Sequence, residues 1–123
     1  MTTIDLEMQA KKFQKELASG TVSLALLAVL KHAKEPLYGY QIAKLLESEA
    51  GGVLVGKQSA LYPVLRNLES NGLLSSMIEP SQSGPPRRYY SITPGGAATL
   101  TEWTTTWNET RNSIDGLLEA REQ

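Results

Sequence analysis

The chain has no cysteine, and that single absence removes disulfides, thiol nucleophiles and cysteine-ligated zinc together. A chain without thiols suits a reducing compartment, so the cytoplasm is the expected location. Histidine is almost as scarce. His32 stands alone, flanked by Lys31 and Lys34 at the end of an apolar run, where it fits a helix C-terminal dipole better than a catalytic base. There is no histidine pair for a metal, no Walker glycine loop and no Gly-x-Ser-x-Gly. Glu47 and Glu49 are two apart, so on a helix they do not face each other as an acid/base pair must. These gaps set the enzyme class aside, and no cofactor is expected. Long apolar runs are missing too: Val22 to Leu30 is about half of the roughly 20 residues that span a bilayer. No basic region and cleavage site frame it as in a signal peptide, and no membrane partner is expected.

What is present suffices for one cored domain with helical arms: 123 residues, 41% of them hydrophobic, with no internal repeat and no dividing linker. The formal net charge of -1 hides an uneven distribution. Between Lys57 and Arg88 the bases Lys57, Arg66, Arg87 and Arg88 outnumber Glu69 and Glu79. After Thr93 the acids Glu102, Glu109, Asp115, Glu119 and Glu122 outnumber Arg111 and Arg121. An anionic partner should therefore meet the middle of the chain.

Leu6, Ala10, Phe13 and Leu17 repeat at helical spacing, which predicts an N-terminal helix interrupted at Gly20. A second helix from Thr21 to Ala33 is apolar nearly all round and should run through the core, ending before Pro36. In "LYGYQIAKLLESEAGG", Ile42, Leu45 and Leu46 share a face, and Gly51-Gly52 supplies a stop. "SALYPVLRNLESNGLL" gathers Leu61, Val64, Leu65 and Leu68 on one side and Ser59, Tyr62, Pro63, Arg66 and Ser70 on the other. With Ser59 as N-cap, Pro63 falls in the first turn, and Asn71-Gly72 provides a left-handed exit. Extended runs from Leu73 to Glu79 and Arg87 to Thr93 bracket a Ser/Gly/Pro loop and read as a hairpin. Tyr89 and Tyr90 alternate across its second strand; either could face the core, the register with Ile92 favouring Tyr90. A last helix starts near Pro94, and Leu100, Trp103, Trp107, Thr110, Ile114 and Leu117 mark a heptad-like seam along it.

Helices followed by a hairpin make a mainly α fold with a small β wing, the winged helix-turn-helix, flanked by N- and C-terminal dimerisation helices. Ser59, Tyr62 and Arg66 are residue types that bind phosphates, and arginine also pairs bidentately with guanine, so the polar side of their helix suits DNA. A plain solvated helix face has the same composition. Arg87 and Arg88 beside a stiff Gly-Pro-Pro tip add two guanidinium groups on a projection suited to gripping phosphates or a minor groove. The expected apolar complement of the C-terminal seam is the stripe of Leu6, Phe13 and Leu17, which predicts a homodimer.

"PLYGYQIAKLL", "SALYPVLRNLESNGLL" and "GPPRRYYSIT" resemble the PadR family of transcription regulators, in the same order and over roughly Thr21 to Leu100. The resemblance implies a winged-helix homodimer on a pseudo-palindromic double-stranded operator, usually repressing and often released by a small molecule. It also implies that the C-terminal helix packs on the partner's N-terminal region. It divides the chain into a dimer-contacting helix over 1–19, a DNA-binding domain over 20–93 and a dimerisation helix over 94–123. It would turn Tyr38 toward phosphate, set Ser59, Tyr62 and Arg66 on the recognition helix and arm the wing with Arg87 and Arg88. With Lys57 these form the expected DNA-binding set. Family members commonly have Gly-Thr before "LYP" where Ser59-Ala60 stands here. Trp103 and Trp107 share a helix face and either fill the dimer seam or form a site for a small aromatic effector. The resemblance places Trp107 where such molecules stack. The expected interface is Leu6, Phe13, Leu17, Leu100, Trp103, Trp107, Ile114 and Leu117. The competing class is a winged-helix protein-interaction adaptor without DNA binding, which Lys57, Arg66, Arg87 and Arg88 disfavour.

Overall fold

The computed structural model describes residues 3–50 and 58–119. Its first helix, α1 (Leu6–His32), is continuous. Asp5 caps it by accepting the Met8 N–H at 3.0 Å, and Lys31 and His32 lie in its last turn, where positive charge suits the dipole. The break expected at Gly20 does not occur. A helical glycine costs only about 1 kcal/mol relative to alanine, too little to interrupt a helix whose C-terminal half is fixed by packing. Thr21 Oγ1 meanwhile donates to the Leu17 carbonyl at 2.9 Å without bending the chain out of the helix. By length and composition α1 could cross a membrane, but Leu26, Leu27 and Leu30, which help to make it apolar, are buried in the core.

After Pro36 the chain forms a short strand, β1 (Leu37–Tyr38), where a run straight into helix was expected, and then α2 (Gly39–Ala50). Gln41 Oε1 accepts the Tyr38 N–H at 3.1 Å, half of a capping box at the helix entrance. Ile42 and Leu46 are buried, whereas Leu45, expected beside them, is 37% exposed: the apolar stripe of α2 is narrower than its sequence. The Gly51-Gly52 stop lies outside the described residues.

A 3-10 turn over Gln58–Ala60 leads into α3 (Leu61–Ser70). Ser59 is not the N-cap. Ala60 occupies that position without a side-chain bond, because the 3-10 turn is already wound where the cap was expected. Pro63 still falls in the first turn, where its missing N–H would have had no partner within the helix. At the other end the Leu73 N–H donates to Leu68 O and the Gly72 N–H to Glu69 O, both at 2.9 Å, with Gly72 at φ 79°. This is a Schellman closure that turns the chain into the hairpin.

Strands β2 (Leu74–Glu79) and β3 (Arg87–Ile92) pair antiparallel, and β1 adds to the far side of β3, giving the order β1-β3-β2. The registers Leu37↔Tyr90 and Leu74↔Ile92 put Leu37, Tyr90, Ile92 and Leu74 on the inner face. Tyr90 is buried and Tyr89 half-buried, which settles the alternation. Helix α4 (Pro94–Leu118) begins at a built joint: Thr93 Oγ1 accepts the Gly96 N–H at 2.9 Å and donates to Gly72 O at 2.6 Å. The core joins Leu26, Leu27 and Leu30 of α1, Ile42 and Leu46 of α2, Leu61, Leu65 and Leu68 of α3, Leu74 and Tyr90. Leu100 and Trp103 of α4 pack against it. The architecture is mainly helical with a small three-stranded wing, the winged-helix arrangement expected from the sequence.

A candidate nucleic-acid interface

With its leucines turned inward, α3 has Arg66 exposed on its opposite side, and Ser59 is exposed in the 3-10 turn just ahead of it. Tyr62 is more tied down than a free contact residue. Its hydroxyl accepts from Gln58 Nε2 at 2.9 Å, and its ring lies so close over Gly39 that a Cβ there would come within 2.6 Å of it. The ring thus joins α3 to the start of α2, while the hydroxyl proton remains free to be donated. Lys57 lies outside the described residues.

The wing separates its two arginines. Side chains alternate across a strand, so Arg87 shares the outer face with Tyr89, and Arg88 shares the inner face with Tyr90. Arg88 Nη1 donates to Ser76 Oγ at 2.9 Å, and Ser76 Oγ donates to Glu69 Oε2 at 2.6 Å, a chain running from the wing to the end of α3. On the outer face the Arg87 guanidinium lies 4.5 Å from the centroid of the Tyr38 ring. Tyr38 in turn stands edge-on to Tyr89, centroids 5.3 Å apart. Glu69 and Ser76 were not singled out by sequence. The period-two register, which sets Ser76 opposite Tyr90 and so beside Arg88, is the signal that could have found Ser76.

Among the described residues the ion pair is Lys11 with Glu7, 3.3 Å apart on the surface of α1, so Arg66, Arg87 and Arg88 have no carboxylate at ion-pair distance. Three guanidinium groups on α3 and the wing are therefore not directly paired with a described carboxylate and are open to an anionic partner. Burial pushes the Tyr90 hydroxyl above its ordinary value, only partly offset by the nearby Arg88. The tyrosine thus stays neutral beneath the basic surface.

The expected dimer and effector residues fall into two groups. Leu6, Phe13 and Leu17 of α1 and Ile114 and Leu117 of α4 are exposed along the two arms. Leu100 and Trp103 instead pack on the core of their own chain. Trp103 and Trp107, both half-buried, line one wall of a groove of about 550 Å³, with Leu17, Gly20, Thr21 and Leu24 of α1 on the other.

The PadR-like transcriptional regulator family model matches residues 26–102, from the core half of α1 through α3 and the wing to the start of α4. An uncharacterized protein of Lysinibacillus sphaericus is 31% identical over 85 residues, 69% of this chain and 78% of its own. A PadR family transcriptional regulator from Eggerthella lenta is 33% identical, with a TM-score of 0.74 over 94% of this chain and 96% of that one. A transcriptional regulator from Clostridium thermocellum reaches a TM-score of 0.74 at 27% identity, covering 85% of this chain and 96% of that one. The matched span holds α3, the wing and the core that positions both, and the chain belongs to the PadR-like family of transcriptional regulators.

Proposed function

We propose that this regulator is a cytoplasmic homodimeric repressor that binds a pseudo-palindromic operator through α3 and the wing, and that a planar aromatic molecule releases it. The observation that carries the reading is the placement of Arg66, Arg87 and Arg88, none in a direct ion pair among the described residues, on the two elements that a winged helix lays against DNA. An adaptor would leave these charges without a role. Ser59 and Arg66 would read or hold the major groove, and Tyr62 and Arg88 would meet the flanking backbone. The expected division at residue 19 then falls inside α1: the N-terminal half serves a partner and the C-terminal half serves the core. Leu6, Phe13 and Leu17 together with Ile114 and Leu117 are the apolar surfaces that a second copy would cover. The groove beside Trp103 and Trp107 is the proposed effector site, with ring stacking worth about 0.5–1.5 kcal/mol per aromatic pair.

The test is a duplex titration across salt concentrations, with sedimentation of the same samples. The expected result is a dimer at micromolar concentration that prefers a palindromic operator and loses affinity steeply as salt rises. Arg66→Ala should relax the preference over scrambled duplex, while Arg88→Ala should weaken all duplexes alike. A monomer would defeat the dimeric reading, and indifference to DNA at low salt would favour the adaptor.

A further inference from the structure

The geometry points to Tyr38 as a positioning residue whose ring holds Arg87 ready for DNA, so that its role is exerted through Arg87 and not through a phosphate bond from its own hydroxyl. The inference rests on the DNA-binding reading above and concerns how the outer face of the wing takes part in it.

Three observations carry it. First, Tyr38 is anchored on several sides: it pairs with Tyr89 across β1 and β3, its N–H donates to Gln41 Oε1 at 3.1 Å, and its ring stands edge-on to that of Tyr89 at 70°. The platform is part of the sheet and of the entrance to α2, and the ring is half-buried. Second, the Arg87 guanidinium has two neighbours to choose from on the outer face. Glu79 is its direct partner across β2 and β3, and opposite charges in that position attract. Yet the guanidinium lies 4.5 Å from the Tyr38 ring centroid, and no ion pair with Glu79 forms among the described residues. A planar, weakly hydrated guanidinium stacks well on an aromatic face, which is the physical reason for that choice. Third, Arg88 is held independently, on the opposite face, by Ser76, which is itself fixed by its bond to Glu69. The adjacent arginines therefore present two separately fixed charges, one on each side of the wing, where a loose pair would have formed a single basic spot. Fixing a long side chain before binding removes an ordering cost, worth about two- to tenfold in affinity for each residue so held.

The experiment has one arm without DNA and one with it. In the free protein, proton NMR should show the Arg87 side-chain resonances displaced by the ring current of Tyr38. Tyr38→Phe should retain that displacement and Tyr38→Leu should abolish it; undisplaced wild-type resonances, or no change in Tyr38→Leu, would overturn the proposal. On operator duplex, Tyr38→Leu and Arg87→Ala should each weaken binding by about two- to tenfold. The double variant should be no weaker than the worse single one, and Tyr38→Phe should recover what Tyr38→Leu loses. If Tyr38→Phe is as weak as Tyr38→Leu while the Arg87 resonances stay displaced, the hydroxyl is a phosphate ligand and the proposal falls. Should Tyr38→Leu fail to fold, Arg87→Lys carries the test: it keeps the charge and loses the planar stack, so affinity should fall several-fold with the salt slope unchanged. Full affinity in Arg87→Lys would count against the platform. A wild type that ignores DNA altogether would defeat the regulatory reading, and the NMR arm would still decide whether the ring holds the arginine.

Discussion

At Gly96 there is no room for a side chain. A Cβ there would overlap the Leu73 carbonyl oxygen and come within 2.8 Å of Ile92, because the first turn of α4 lies directly on the start of the hairpin. Backbone cannot step aside as a side-chain tip can, so Gly96→Ala should destabilise the fold by about 1–3 kcal/mol, seen as a lower urea midpoint at unchanged slope. Tyr90 makes a prediction of the opposite kind, about protons. Its buried hydroxyl is held above the ordinary value of 10.0 in the folded state, so the unfolded chain ionises first. Stability should be full below pH about 10 and fall as pH rises beyond it, and Tyr90→Phe should flatten that fall in melts taken across alkaline pH. The burial of Tyr90 was legible because Ile92 fixed the register. Leu45 was not: a leucine at the edge of a helical stripe looks like core in one dimension, and only the width of the facing surface decides. Ser59 misled for a related reason, since a good capping residue declares where a helix could start, and the 3-10 turn had already begun before it.

Among the elements, α1 shows most plainly how packing overrides local preference. Gly20 and Thr21 together weaken a helix, and a one-dimensional reading divides it there. The structure carries it through, with open space around Gly20 and no atom within 4 Å of a Cβ placed there. Gly20→Ala should therefore stabilise the isolated fold by about 0.5–1 kcal/mol through the lost freedom of the unfolded chain. The melting temperature of dilute protein measures this, and a decrease would mean that another helix approaches α1 closely at that point. β1 escaped the sequence reading for want of length: two residues show no alternation, and only β3 gives Leu37 and Tyr38 a sheet to join. Beyond its start, α3 was legible along its length, because leucines at helical spacing, an early proline and Asn-Gly agree with one another. The opposite facing of Arg87 and Arg88 follows from the same period of two that separated Tyr89 from Tyr90, yet a pair of identical charges reads as one patch until it is placed on a strand.

For the whole molecule, what was legible is the winged-helix body, where hydrophobic spacing and turn residues specify the same elements. The arms were legible only as apolar seams. Leu100 and Trp103 belong to the same seam as Ile114 and Leu117, yet the first two close the chain's own core and the last two lie open, a distinction that depends on where α4 leaves the body. That departure point is Thr93. Its N–H donates to Leu73 O at 3.1 Å, its hydroxyl donates to Gly72 O, and Thr93 Oγ1 itself accepts the Gly96 N–H. The residues it grips are those that close α3, so the end of the helix proposed to read DNA and the root of the arm proposed to join two copies are one mechanical joint. We expect this joint to work as a crank, in which rotation of the arm turns the end of α3 with it through these hydrogen bonds. Thr93→Val keeps the shape and removes both hydroxyl bonds, at a cost in stability of about 1 kcal/mol. Binding to operators whose half-sites are moved one base pair closer or farther should then become more even, as the crank acquires play, whereas an unchanged spacing preference would show that the arm's angle is set elsewhere.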